Sequence, residues 1–374
     1  MTLKSKLTYL SVSAFVFIGA AEIRAQYVPP PPPAPFSGFV NEYLRKNDPS
    51  LDPWDLGGNI RLRYEVKDGF AIPGVAGSLD FRGHGADVDN NYFLSRIRFH
   101  LGYKETWWSA YLEGRSSLAD GDERWAYGNN PGVPGTVKYQ GNGPESDNID
   151  LQQAYFTIGN PKAFPLSLKI GRQELIYGDE RLVGLSAWNN ITRVFDAARL
   201  RWQSDWFTAD FFTSHVVIPE DDRFNVSNAY DWFSGLYATS TNVPKSNLDL
   251  YFLSRNASAE AIAAEPRPQF AQPGARDIFT AGLRLKSKPS ELGNWDYTLE
   301  MAGQFGNFKD LRLGPDAPRL DQQAYMAVVQ GGYTFSDFSG RPRLALEYSY
   351  GSGDSDPTDR KLGFPQNVDT RKVV

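Results

Sequence analysis

From residue 57 onward the chain alternates with a period of two. In Ile60-Arg61-Leu62-Arg63-Tyr64-Glu65-Val66 every second residue is apolar and those between are charged. An extended backbone throws those two sets onto opposite faces, and a helix cannot. The same alternation recurs at 93–103, 108–115, 153–158, 166–171, 197–202 and 207–213, more weakly at 233–238 and 248–253, and again at 279–286, 296–304, 324–333 and 344–350. The pattern predicts thirteen strands and an all-β fold. No segment beyond residue 25 approaches the 18 uncharged apolar residues of a membrane-crossing helix, which excludes a helical membrane protein.

The connections between these segments choose the kind of β protein. The first gap (69–90) is long and the second, around Lys104-Glu105, is short. The third (117–147) is long, the next, at Asn160-Pro161, is short, and the sorting continues through 176–192, Gln203-Ser204-Asp205 and 215–230 to the turn at 337–340. A soluble sandwich has no reason to sort its loops by length on alternate ends. An outer-membrane barrel does, with short periplasmic turns and long outer loops. Trp107, Trp108, Trp202 and Trp206 cluster beside short turns, where an interfacial aromatic girdle belongs. The expected fold is a transmembrane antiparallel up-and-down β-barrel, with 117–147, 176–192 and 254–277 outside the cell and lipid as its surroundings.

The N-terminus fits export. Lys4 and Lys6 precede an uncharged stretch from Leu7 to Ala21 and a small-residue exit at Ala25, the order of a cleavable signal peptide over 1–25. A membrane anchor is the alternative, but the stretch falls short of the roughly 20 residues that need to cross. Residues 26–55 read as a Pro-rich periplasmic leader, since Pro29 to Pro33 cannot donate backbone hydrogen bonds and favour extended polyproline II. The leader is a stiff spacer or a docking ligand for a periplasmic partner. Residues 56–374 read as the barrel. Cysteine is absent, so no disulfides stabilise the exported chain. The net charge of -5 becomes -7 once Lys4, Lys6, Arg24 and Glu22 leave, which gives no reason to expect nucleic-acid binding.

A lysine or arginine facing lipid at mid-bilayer costs roughly 2 to 4 kcal/mol, so the charged set of each strand should face the lumen. That set contains Arg61, Arg63, Arg96, Arg98, Arg115, Lys169, Arg199, Arg201, Arg284 and Lys286, with Glu65, Glu113, Asp210, Asp249, Asp296, Glu300 and Glu347 on the same parity. The first six strands carry eight of the basic residues and only Glu65 and Glu113, a net +6 expected to select anions. The competing account is that these arginines pair with carboxylates across neighbouring strands and merely keep the lumen wet. No catalytic constellation is evident: His84, His100 and His215 have no companion at metal-ligand or triad spacing, and two of them, His84 and His215, are read as loop residues. The strings Asp87-Val88-Asp89-Asn90 and 354–359 could meet Ca²⁺ but do not match the twelve-position calcium loop, and they read as solvated surface. No cofactor or metal is expected.

At 171–200 the chain reads Gly171-Arg172-Gln173-Glu174-Leu175, then Tyr177-Gly178-Asp179-Glu180-Arg181-Leu182-Val183-Gly184, Trp188, and Arg193-Val194-Phe195-Asp196-Ala197-Ala198-Arg199-Leu200. These strings resemble the alginate-export family of outer-membrane proteins, in which a strand ending Gly-Arg-Gln meets a Gly-Asp-Arg-like loop and returns through a Phe-Asp-x-x-Arg strand. The likeness extends less sharply to 60–63 and 344–348 and covers about residues 55 to 355. It implies an eighteen-stranded barrel whose basic lumen passes a uronic-acid polymer, and a lumen role for Arg61, Arg63, Arg199 and Arg201; the barrel is expected to be monomeric. The loop motif residues Arg172, Asp179, Glu180, Arg181 and Asp196 are expected either to fold the loop or to touch solute. Against eighteen strands, thirteen is odd and leaves the end at Val374 on the outer side without the terminal aromatic residue of such barrels, which suggests an incomplete sequence whose first and last strands do not fully meet. One missed strand in 254–277 is the alternative, opposed by Pro266, Pro268 and Pro273. The expected function is passage or export of an anionic polysaccharide or related anionic solutes. The alternatives are a general or small-anion porin, or a structural or adhesive barrel that binds a partner through its outer loops.

Overall fold

The computed structural model describes residues 38–67, 90–121, 145–219, 224–260, 274–309 and 318–352. Thirteen strands form one antiparallel sheet in sequence order: β1 (Trp54–Lys67), β2 (Asn90–Lys104), β3 (Trp108–Asp120), β4 (Asp147–Ile158), β5 (Leu166–Gln173), β6 (Phe195–Gln203), β7 (Phe207–Ile218), β8 (Val226–Val243), β9 (Ser246–Ala257), β10 (Arg276–Ser287), β11 (Trp295–Lys309), β12 (Arg319–Thr334) and β13 (Arg343–Gly351). Each of the thirteen alternating segments falls inside one of them. Short turns and long connections occupy opposite ends, as the spacing predicts. Among the described residues β1 pairs only with β2 and β13 only with β12.

The sheet is inside out relative to a soluble protein. Ile60, Leu62, Tyr64 and Val66 of β1 are each more than 60 % exposed, and Ile97, Phe99, Leu112, Ile170, Phe211, Leu250, Met301 and Val329 continue that apolar outer face. The intervening residues point inward and carry the charge. A bilayer rewards this arrangement, because lipid takes the apolar face and the ladder between neighbouring strands satisfies the backbone. Trp107, Trp108, Trp202, Trp206 and Trp295 lie exposed at the short-turn end, as an interfacial girdle requires.

Three local differences from the sequence reading have physical causes. First, the part of the leader that is described is structured: residues 39–47 form a helix, α1 (Phe39–Asn47), with Glu42 in its first turn and Arg45 and Lys46 in its last. It stops at Asp48 because the residue before Pro49 is pushed to extended backbone. The Asn41 amide then donates to Asp55 at 2.9 Å and its oxygen accepts the Leu56 N–H at 2.9 Å, tying α1 to the start of β1, which begins at Trp54. The Pro29 to Pro33 run and the signal lie outside the described residues.

Second, β4 begins at Asp147, six residues before the expected start. A bulge opposite Glu113 and Gly114 skips Gln152, so Gln152 and Gln153 both face inward and the period breaks there. Third, His215 lies within β7, with Nδ1 2.9 Å from the Asn228 carbonyl oxygen, and is not a loop residue. The two acidic strings weighed for Ca²⁺ fall outside the described residues apart from the backbone of Asn90.

Candidate lumen and its inner loop

The connection between β5 and β6, residues 174–194, leaves from the long-connection end as expected. It does not stand outside the sheet, however, but folds back against the inner face. The base of the loop is closed by Arg172 and Asp196, partners across β5 and β6. The guanidinium donates twice to the carboxylate, at 2.9 and 3.1 Å, and also to the Asn225 and Leu151 carbonyls at 3.0 and 3.3 Å. Gly171 sits just before at φ +123°, where a Cβ would lie 2.2 Å from the Ala154 carbonyl oxygen; only glycine fits that approach. Gly178 also needs positive φ, +60°, and lies against the Tyr237 hydroxyl and Arg284.

Apolar burial holds the middle of the loop. Leu175, Tyr177 and Val183 are buried against Phe212, Phe233, Tyr237, Tyr251 and Leu253, which point inward from β7, β8 and β9. The Tyr177 ring stacks on Tyr237 at 4.6 Å and its hydroxyl donates to Asp210 at 3.0 Å. The inner face is not charged throughout: this sector of the wall is aromatic because the loop covers it. Each such side chain contributes roughly 1.5 to 3 kcal/mol by burial.

Charges pin the two ends of the loop to opposite edges of the sheet. Toward β10, β11 and β13, Asp179 accepts from Lys286 at 2.7 Å, Arg284 at 3.0 Å and Arg181 at 3.2 Å. Arg181 also reaches Glu300 at 3.4 Å and Glu347 at 3.0 Å. Burial alone would raise the Asp179 carboxyl, but the Lys286 hydrogen bond and the Arg284 and Lys286 charges hold it below the ordinary value. Glu180, at φ 59°, folds the loop on itself by accepting the Leu185 N–H at 2.9 Å. Toward β1 and β2, Arg61 donates to the carbonyls of Ala187, Trp188 and Asn189 at 2.8, 3.1 and 2.9 Å. Arg63 donates to the Trp188 carbonyl, with its guanidinium 4.4 Å from the Trp188 ring, and Arg96 donates to Asn189 at 3.2 Å. Arg98 reaches Thr192 at 2.6 Å and Glu174 at 3.2 Å. The fully buried Asn190 amide donates to the carbonyls of Ser95, Leu118 and Glu145 at 3.0 to 3.1 Å.

Six residue steps lead from Arg181 to Ala187, at most about 22 Å of chain. One short segment therefore touches both β13 and β1, so the sheet is curled with its two edges brought toward each other.

The expected excess of +6 on the first six strands shrinks in this setting. Eight basic residues are there: Arg61, Arg63, Arg96, Arg98, Arg115, Lys169, Arg199 and Arg201. They share the wall with seven carboxylates, Asp55 beside His100 on the inner parity of β1, and Glu65, Glu113, Asp147, Asp150, Glu174 and Asp210. Arg115 is buried against Asp147 and 3.8 Å from Asp150, Arg63 lies 2.6 Å from Glu65, and Arg98 lies 3.4 Å from Glu113. Arg201 grips Asp210 with bonds of 2.6 and 2.7 Å. The bulge in β4 hid Asp147 and Asp150 from the count, and Glu174 and Asp210 enter from the inner loop and the seventh strand. Farther round, Arg284 pairs with Asp249 at 2.7 Å. Sequence reasoning also missed Asn190 and Asn225, whose polar side chains in connecting segments carry no periodic signal.

A sheet with a lipid-facing apolar exterior, a charged interior and connections sorted by length is that of an outer-membrane channel. The family described as alginate export matches residues 52–366, and the chain belongs to it. Members of that family are transport channels of the cell outer membrane, and so is this chain.

A search of curated proteins finds no match. Solved structures that the chain is similar to include a BenF-like porin from Pseudomonas fluorescens Pf-5, at 13 % identity and TM-score 0.43, covering 80 % of this chain and 83 % of that one. Another is OccAB4 of Acinetobacter baumannii, at 12 % identity and TM-score 0.38, covering 80 % and 82 %.

Proposed function

We propose that the channel passes anionic solutes, and that an anionic polysaccharide of the uronic-acid type, as in the family's description, is its substrate class. The observation that supports this reading is the sign of the inner wall on β1 to β6, where basic groups outnumber carboxylates and some lie beside no tightly bound acid. Rings and ladders of arginine and lysine are how anion pores select. The inner loop narrows the path, and this favours a second reading, a porin for small organic anions. Proteoliposomes holding the full chain separate the two. Uronate oligomers are expected to pass faster than neutral glucose oligomers of equal length. Faster passage of uronate monomers with exclusion of oligomers would mean a small-anion porin, and faster passage of the neutral sugars would overturn the proposal.

A further inference from the structure

Each of the basic side chains that line the inner wall can be asked what already occupies it. Arg61, Arg63 and Arg96 hold loop carbonyls, while Arg98 and Arg115 hold carboxylates and a hydroxyl or amide. Arg201 holds Asp210, and Arg284 and Lys286 hold Asp179. Lys169 and Arg199 stand apart. They are register partners on β5 and β6, so two positive side chains face each other on one wall, an arrangement that is destabilising unless an anion joins them. Among the described residues the Lys169 ammonium makes no ion pair; it lies 3.6 Å from the centroid of the Tyr155 ring. Arg199 comes only within 3.8 Å of Asp210, which Arg201 already grips, and its buried Nε has no hydrogen-bond partner.

The surroundings complete a platform. His100, Tyr111 and Tyr155 stack across β2, β3 and β4, at 5.4 and 5.1 Å between centroids, and Lys169 takes the far face of the last ring. The row continues through Arg199 to Arg201. It lies on the short-turn side of the loop base at Gln173 and Phe195, so a solute that comes from the periplasm meets it before the loop.

We propose that Lys169 and Arg199 form a carboxylate-binding subsite for the transported solute, with Tyr155 as the aromatic wall that orients the lysine. The proposal rests on the anion-channel reading and names the residues that would recognise the anion. A carboxylate there gains charge-assisted hydrogen bonds from both cations, which the protein itself supplies at the other basic positions. The carboxylate can belong to a free organic acid or to a polymer unit.

The test is block of chloride current through the full chain in planar bilayers by glucuronate, with glucose as the neutral control. Glucuronate is expected to block and glucose not to. Lys169→Gln and Arg199→Gln should each raise the half-blocking concentration about tenfold, the effect of one charged hydrogen bond. Lys169→Arg, which keeps the charge, should stay near wild type, as should Arg319→Gln at the opposite rim. A tri-uronate that blocks at a lower concentration per carboxylate than the monomer identifies a polymer as the source, and equal block per carboxylate identifies a small acid. Unchanged glucuronate block in both Gln variants, in a pore that still prefers anions, overturns the subsite alone. A pore that prefers cations and ignores glucuronate overturns the anion-channel reading with it.

Discussion

Replacing Asn190 with alanine removes one amide group, and the consequence can be worked from the contacts around it. The side chain is fully buried and its two N–H groups are shared among the carbonyls of Ser95, Leu118 and Glu145, on β2, β3 and the connection into β4. Alanine deletes the buried donor group, which costs about 3 kcal/mol for two lost hydrogen bonds at roughly 1.5 kcal/mol each. The backbone contacts at 187–189 survive, so the barrel should assemble while the loop detaches more often. A change of about 3 kcal/mol raises the population of the detached loop by roughly a hundredfold. Trypsin reads this directly, because Arg181 and Arg193 lie in the loop and cleavage follows the open population when opening is fast. The expected result is loop cleavage about a hundred times faster in Asn190→Ala, with unchanged heat resistance of the strands in detergent. Cleavage within twofold of wild type would refute the claim that the loop is held to the wall by its buried amide.

Other contacts give sharper or cheaper checks. Arg172→Ala opens the fork to Asp196 and should lower stability toward urea by roughly 3 kcal/mol, since it leaves a carboxylate and two carbonyls without their donor. Asp179 has a depressed pKa in the folded chain, so its contribution is fully present above the ordinary carboxylate value of about 4 and is lost as pH falls through the lower folded value. Hydrogen exchange of the loop amides, corrected for its intrinsic pH dependence, should therefore show no loss of protection from Asp179 between pH 8 and 5; the share due to Asp179 should appear only below about pH 4 and be missing in Asp179→Asn. On the outer face, Leu62→Lys should weaken folding into phospholipid vesicles by roughly 2 to 4 kcal/mol, whereas an inward change such as Gln330→Lys, opposite Glu347, should not. Cysteines placed at Gly128 and Ala263, in long connections, are expected to react with an impermeant maleimide on whole cells, and labelling only after lysis would reverse the topology.

The strands were legible because a bilayer inverts the usual rule without weakening it. At Ile60 to Val66 the alternation is as strict as in a soluble strand, and only the destination of the apolar face changes. Where β4 carries a bulge the alternation fails, since one extra residue at Gln152 puts two neighbours on one face, and the acids before it were lost from the charge count. The inner loop was visible as a motif but not as a fold. Its partners lie far away in sequence, Arg181 and Glu347 being 166 residues apart, and many acceptors are backbone carbonyls that no sequence pattern displays. For the same reason the two accounts of the arginines could not be separated from sequence. Arg61 and Arg96 are held by carbonyls and Arg98 and Arg115 by acids, so changing Arg96 and Arg98 to Glu would release the loop as well as alter the charge. Lys169 and Arg199 are the better probes of selectivity, because replacing them severs no short hydrogen bond within the protein.

The sign of the field inside the channel decides which ions it favours. Reversal potentials for the full chain in planar bilayers under a tenfold KCl gradient measure it. At low salt the potential should have the sign of chloride preference. It should decline as ionic strength rises past 0.1 M, where the Debye length is about 10 Å and the wall is screened. Changing Lys169 and Arg199 together to Glu should reduce or invert it with the loop still protected from trypsin. Potassium preference in the unaltered chain at low salt would contradict the account.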